Sequence, residues 1–121
     1  MPRFVILQHI MSSHSVRRSH YDLMLEDNGK LITWAIPDLP CAGLQTSATK
    51  LPDHRLAFLD YEGSVSGDRG EVRRVDWGDY SSHHWSEAMA TFDLRGVSSA
   101  LTCALRHQSG DEWTAEFQPA D

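Results

Sequence analysis

The sequence predicts a mainly β protein: a single antiparallel β-barrel of about eight strands with little helix. Three observations carry that expectation. Turn signals recur along the whole chain, and the segments between them are short. Several of those segments alternate apolar and polar side chains, the period of a strand with one buried face. One pair of them is joined by Asn28-Gly29, a strong hairpin signal because both residues tolerate positive φ.

Taken in order, residues 4–9 (FVILQH) are an apolar run that reads as a buried first strand. Residues 20–26 alternate clearly. Tyr21, Leu23 and Leu25 make an apolar face, and His20, Asp22, Met24 and Glu26 make the other. After the Asn28-Gly29 turn, residues 30–36 (KLITWAI) return as the partner strand and stop at Pro37. Residues 37–52 hold three prolines and a glycine, and read as a loop-rich connection. Residues 55–59 (RLAFL) are a short apolar run counted as a strand, residues 63–70 a glycine-rich turn, and residues 71–77 an alternating strand. Residues 91–95, 100–106 and 113–117 are further strands, the last two joined by Ser109-Gly110-Asp111. Residues 86–91 are the one helical stretch expected, and it is short. No repeat, low-complexity segment or linker divides the chain, so residues 1–121 read as one domain.

A length of 121 residues suits one hydrophobic core. No apolar run reaches the roughly 18–20 residues that span a bilayer. The N-terminal MPRFVILQHIM lacks a small-residue cleavage site and reads as a strand rather than a secretory signal. Cys41 and Cys103 form no C-x-x-C motif and read as reduced thiols of a cytoplasmic protein. The formal net charge of −6 argues against broad binding along phosphate backbones. It leaves room for a local basic pocket that takes one nucleic-acid end. The visible basic clusters are Arg17-Arg18 and Arg73-Arg74.

His20 and Asp22 are two apart on one strand face and can chelate a single divalent ion. His9, at the end of the first strand, and His14, in the connecting loop, are the candidates for a third ligand. Two histidines and an aspartate with open positions suit manganese, zinc or iron. A solvated surface pair is the competing account, because His-x-Asp alone is a common pattern. His54 follows a polar break and could contact a phosphate, act as a general acid, or simply satisfy a turn. His83 and His84 are adjacent, so they point to opposite strand faces and read as surface residues. His107 ends a strand with no obvious partner. Asp60 and Glu62 precede a glycine turn, where acidic groups often cap backbone. Trp34, Trp77, Trp85 and Trp113 read as core or barrel-rim residues rather than base-stacking platforms.

Over nearly the whole chain and in order, FVILQH, HYDLMLEDNGKLITWAIP, LPDHRLAFLDYEG, GDRGEVRRVDWGDY, FDLRG and EWTAEF resemble the 3′-phosphoesterase domain of bacterial DNA ligase D. That family reads approximately F-V-I-Q-K-H, H-Y-D-F-R-L-E, a glycine hairpin, S-W-A-V-P, E-D-H-P-L-x-Y, F-E-G and G-x-G-x-V. The resemblance implies a β-barrel carrying a metal and phosphate pocket. It implies a manganese-dependent activity, with zinc as the alternative ion, that removes a 3′-terminal ribonucleoside and then the 3′-phosphate. It places the metal ligands at His20, Asp22 and either His9 or His14. The strand motif favours His9 and the His-x5-His spacing favours His14; His9 is the expected ligand, because a residue at the end of a strand is better held than one in a loop. It places the phosphate-pocket histidine at His54, and Glu26 would orient a ligand from the same face.

Several positions depart from the family pattern. Met24 stands where the family has an arginine able to clamp phosphate with two hydrogen bonds. Phe58 replaces a tyrosine, Pro52 an acidic residue, and Thr46 a basic one. Arg17, Arg18 or Lys50 would then have to supply the missing cation. Three readings follow. The chain is a metal-dependent phosphoesterase of nucleic-acid 3′ ends, a non-catalytic binding module working with a ligase or polymerase in repair, or a barrel whose polar cluster is structural. A cytoplasmic monomer with no membrane contact is expected in each case.

Overall fold

The computed structural model describes residues 1–12, 18–67 and 69–120. Within them nine strands follow in order: β1 (Arg3–Ile10), β2 (His20–Asp27), β3 (Lys30–Ile36), β4 (Gln45–His54), β5 (Gly63–Ser64), β6 (Glu71–Trp85), β7 (Met89–Gly96), β8 (Ala100–Ser109) and β9 (Glu112–Pro119). The sheet runs β1-β2-β3-β4-β9-β8-β7-β6-β5, and β1 also pairs with β6. That pairing closes an antiparallel barrel of eight strands and leaves β5 attached outside it, as the sequence predicted in class. Closure is possible because β6 is 15 residues long. Its first half pairs with β1 and its second half with β7.

The barrel is filled by side chains from all eight of its strands, including Phe4, Leu23, Trp34, Phe92, Leu105 and Phe117, each 2% exposed or less. A large apolar side chain buried this fully contributes about 1.5–3 kcal/mol. A second, smaller apolar cluster lies on the outside of one wall. Val5, Leu7, Met24, Leu31 and Val72 face outward there and are covered by Leu59, Phe58 and Val65. This wall is therefore buried on both faces, which is why FVIL in β1 reads as a continuous apolar run rather than an alternating one.

Asn28 and Gly29 both have positive φ, as the β2–β3 hairpin requires. Gly110 makes the β8–β9 turn. Three expectations need correction. Residues 45–54 are a strand, not loop: only Ala48 of them is buried, opposite Trp113, so bulk on the neighbouring strand replaces the apolar pattern the sequence would show. Pro52 is tolerated because β4 bulges there against β3, between the Leu31–His54 and Thr33–Leu51 pairs. Residues 56–59 form a turn of 3-10 helix instead of a strand, with Leu59 driven into the outer cluster. Residues 86–91 hold no helix: the Ser86 hydroxyl accepts from the Ala88 and Met89 amides and makes the β6–β7 turn.

His83 and His84 are exposed, as expected. His107 does have partners: its Nε2–H donates to the Gly110 carbonyl at 2.8 Å and its ring packs edge-on against Trp113. Trp34 and Trp113 are buried at the barrel mouth, and Trp85 is half-exposed at its rim. Asp76, unremarked in the sequence, is buried because it accepts from the Trp77 and Ser98 amides and the Ser99 hydroxyl. Cys41 and Cys103 are both free thiols. No helix among the described residues is long and apolar enough to cross a membrane.

Candidate metal centre

The antiparallel register of β1 and β2 sets His9 directly opposite His20, and Leu7 opposite Asp22. Directly opposed side chains on one face stand about 5 Å apart, and the next residue on that face lies within reach. One cross-strand pair plus a residue two along therefore makes a triangle. His9, His20 and Asp22 place their ligand atoms within 4.8 Å of one another. The strand ends hold all three, and Asp22 is almost fully buried.

The rings are oriented for a cation. His9 donates Nε2–H to the Arg69 carbonyl at 2.8 Å, and His20 donates Nδ1–H to the Arg18 carbonyl at 3.0 Å. A carbonyl only accepts, so these bonds fix the tautomers of the neutral rings. The remaining nitrogens then face Asp22 with lone pairs. His9 Nδ1 is 3.4 Å from Asp22 Oδ2, and His20 Nε2 is 3.0 Å from Oδ1. Asp22 Oδ1 is buried without a well-aimed hydrogen bond despite that short distance. Lone pairs facing a buried carboxylate repel unless a proton or a metal ion lies among them. A backbone carbonyl behind each imidazole is also the usual outer support of a metal-bound histidine. The residues present therefore fit a divalent ion. Burial pushes the Asp22 carboxyl up, and a proton on His20 or His9, through hydrogen bonding and charge, outweighs it and pulls the group below its ordinary value.

This triangle opens onto a cavity of about 90 Å³ also lined by Met24, Leu51, His54, Phe58, Val65 and Arg69. His54 reaches it because of the β4 bulge. Residues 51 and 54 would face opposite ways on a regular strand, and the extra residue puts both on the outer wall. The His54 ring donates Nδ1–H to the Pro52 carbonyl at 2.9 Å and lies edge-on to Phe58.

The other predicted residues fall elsewhere. Glu26 shares the face but lies four residues beyond Asp22, roughly 13 Å along the strand. Its Oε1 accepts from the Arg3 amide at 3.0 Å, and it lines no part of this cavity. Lys50 pairs with Trp34 and so points to the barrel interior. Its Nζ sits over the Trp34 ring and donates to the Leu51 carbonyl, in a separate mouth cavity of about 280 Å³. Arg18 contributes its carbonyl to His20, while its side chain is exposed. His14 and Arg17 lie outside the described residues. Arg69 is the site residue that sequence reasoning missed. It sits in the glycine-rich turn, and the only signal for it was a lone arginine among glycines and serines.

Comparison with known proteins places this site in context. Residues 12–107 match the DNA Ligase D 3'-phosphoesterase domain family. The chain is 31% identical over 115 residues to the multifunctional non-homologous end joining protein LigD of Mycobacterium bovis. It has the same identity over the same length to the multifunctional non-homologous end joining DNA repair protein LigD of Mycobacterium tuberculosis. In both cases the match covers 88% of this chain and 15% of the relative. A LigD protein of Pseudomonas aeruginosa is 37% identical over 75 residues, covering 60% of this chain and 9% of its own length. The chain thus corresponds to a small part of each of these larger proteins.

Proposed function

The chain belongs to the DNA ligase D 3′-phosphoesterase domain family, and from that membership we propose that it is a metal-dependent phosphoesterase of nucleic-acid 3′ ends, acting in end-joining repair beside a ligase or polymerase. The observation that carries this is the convergence of two imidazole lone pairs and a buried carboxylate, each ring backed by a backbone carbonyl. His9, His20 and Asp22 would hold the ion, with manganese as the family expectation and zinc as the alternative. A divalent ion bound there supplies charge neutralisation at phosphoryl oxygens and lowers the pKa of a bound water.

The chain's own residues supply the rest. His54 commits its Nδ1–H to Pro52, so it exchanges protons through Nε2. In its charged form it donates from Nε2 to the leaving oxygen. Met24 and Phe58 make an apolar floor that excludes water but offers no hydrogen bond. That floor favours a second reading, a binding module that keeps the metal and has lost efficient turnover.

Calorimetric titration with manganese and with zinc, on the native chain and on His20→Ala and Asp22→Ala, tests the site. One-to-one binding lost in both variants is expected. Manganese-dependent release of phosphate from a 3′-phosphorylated primer then separates enzyme from binding module. Binding without release would leave the second reading, and no binding to the native chain would remove both.

A further inference from the structure

A second cavity, of about 230 Å³, lies against the metal cavity. It is lined by Arg55, Tyr61, Ser64, Ser66 and Arg69, and the two share Phe58, Val65 and Arg69 as walls. Arg69 is the one lysine or arginine lining the metal cavity among the described residues. Met24, Leu51 and Val65 leave that cavity no other cationic hydrogen-bond donor of fixed charge.

Neither Arg55 nor Arg69 forms an ion pair among the described residues, although the chain carries a net charge of −6. Among the described residues, the carboxylates near them in sequence are engaged elsewhere, Asp53 with Lys30 and Lys50. Asp60 pairs with Arg3 at 2.8 Å, and Glu62 accepts from the Arg74 amide at 3.2 Å. Arg69 is nonetheless held in place. Its Nε donates to the Ser66 carbonyl at 2.7 Å and its Nη2 to the Ser66 hydroxyl at 3.1 Å. Its own carbonyl receives the His9 Nε2–H. The guanidinium is thus positioned at the shared wall, with no partner for Nη1 among the described residues, and the same residue supports a candidate metal ligand. Tyr61 donates its hydroxyl to the Ser64 carbonyl, which fixes the opposite side of the cavity.

Two arginines that line one cavity and form no ion pair among the described residues call for an anion. Guanidinium groups suit phosphate because their planar fork makes paired, charge-assisted hydrogen bonds. We propose that this cavity is a phosphate subsite for the nucleic-acid strand whose 3′ end enters the metal cavity, with Arg69 at the shared wall and Arg55 further along the strand. The inference rests on the phosphoesterase reading for the nature of the ligand, and it adds the residues that hold it.

The test is the binding of a fluorescent single-stranded DNA ending in a 3′-phosphate, measured by anisotropy in EDTA so that turnover cannot interfere. Arg55→Ala and Arg69→Ala should each weaken binding about tenfold or more. Each should also reduce the slope of log affinity against log salt by about 0.7. Arg106→Ala is the control. It removes an equal charge on β8, where the guanidinium donates a hydrogen bond to the Met89 sulfur, away from both cavities. It should leave affinity unchanged. Equal weakening by Arg106→Ala, or no weakening by either of the other two, would overturn the subsite. Arg55 and Arg69 are exposed, so unchanged melting temperatures are expected and confirm that any loss is local. Loss of binding in a chain that releases no phosphate under manganese would leave the subsite standing and the phosphoesterase reading refuted. Phosphate release undiminished in both variants, with binding intact, would do the reverse.

Discussion

Met24 is 1% exposed and packs among Val5, Leu7, Leu31, Leu59 and Val72 while also lining the metal cavity. Its neighbours explain why methionine suits the place: the position is a packing position first, and a flexible thioether fills an irregular gap well. An arginine there would have to extend toward the cavity or bury its charge. Met24→Arg should therefore cost about 2 kcal/mol or more in stability, while Met24→Leu should cost under about 1.5 kcal/mol. Urea unfolding of both variants checks this. If Met24→Arg unfolds at the native midpoint, the cavity accommodates the guanidinium, and the apolar floor is less confining than its burial indicates. Asp22, two residues earlier on the same face, shows the opposite case. There a charge is buried where a proton or a metal ion shared with two facing imidazoles can offset it.

Between β5 and β6 the chain must turn tightly under β1. Gly70 makes this feasible with φ +81°, and an added Cβ would lie 2.0 Å from the Ile10 carbonyl oxygen. The Gly70 carbonyl accepts from the Val65 amide at 2.8 Å, which closes the turn. Because the preceding residue supplies the carbonyl that orients His9, this turn couples barrel closure to the metal site. Gly70→Ala should destabilise the fold by about 2 kcal/mol or more. It should also weaken manganese affinity by about tenfold or more through loss of the His9 support. Thermal melts and calorimetry on the same sample read both effects. A melting change with unaltered metal affinity would separate the turn from the site. The bulge in β4 is the other element with a local consequence, since it alone brings His54 to the outer wall.

Across the whole barrel, stability should fall in acid, and one cross-strand cluster makes the effect specific. Asp93 on β7 accepts the Thr102 hydroxyl from β8 at 2.7 Å and lies 3.0 Å from His83 Nε2 on β6. The Thr102 hydrogen bond, with help from His83 and Arg95, holds its carboxyl below 3.8. A carboxylate lowered on folding adds stability above its unfolded pKa and loses it as pH falls through the folded value. The native chain should therefore lose denaturant resistance below about pH 4. Asp93→Asn should be about 1 kcal/mol less stable near neutrality and show a shallower decline in acid. Parallel decline of the two chains would remove Asp93 from the acid response.

The fold class, the β2–β3 hairpin and the division of β2 into an apolar and a ligand face were all legible in the sequence. They depend on period-two patterning and turn chemistry, which are local properties of the chain. The pairing of His20 with Asp22 on one face was legible for the same reason. Several features were decided only by tertiary structure. The strand at 45–54 shows no apolar pattern because Trp113 fills the space in front of it. The placement of His9 opposite His20 depends on inter-strand register, and the placement of His54 depends on a bulge defined by two strands together. Glu26 and Lys50 were misplaced because face and distance along a strand must both be right, and local pattern gives only the face. Arg69 became visible once the closing pair β1–β6 set the glycine-rich turn over the metal cavity. Local periodicity specifies which way a side chain faces, and only the closed barrel specifies what it faces.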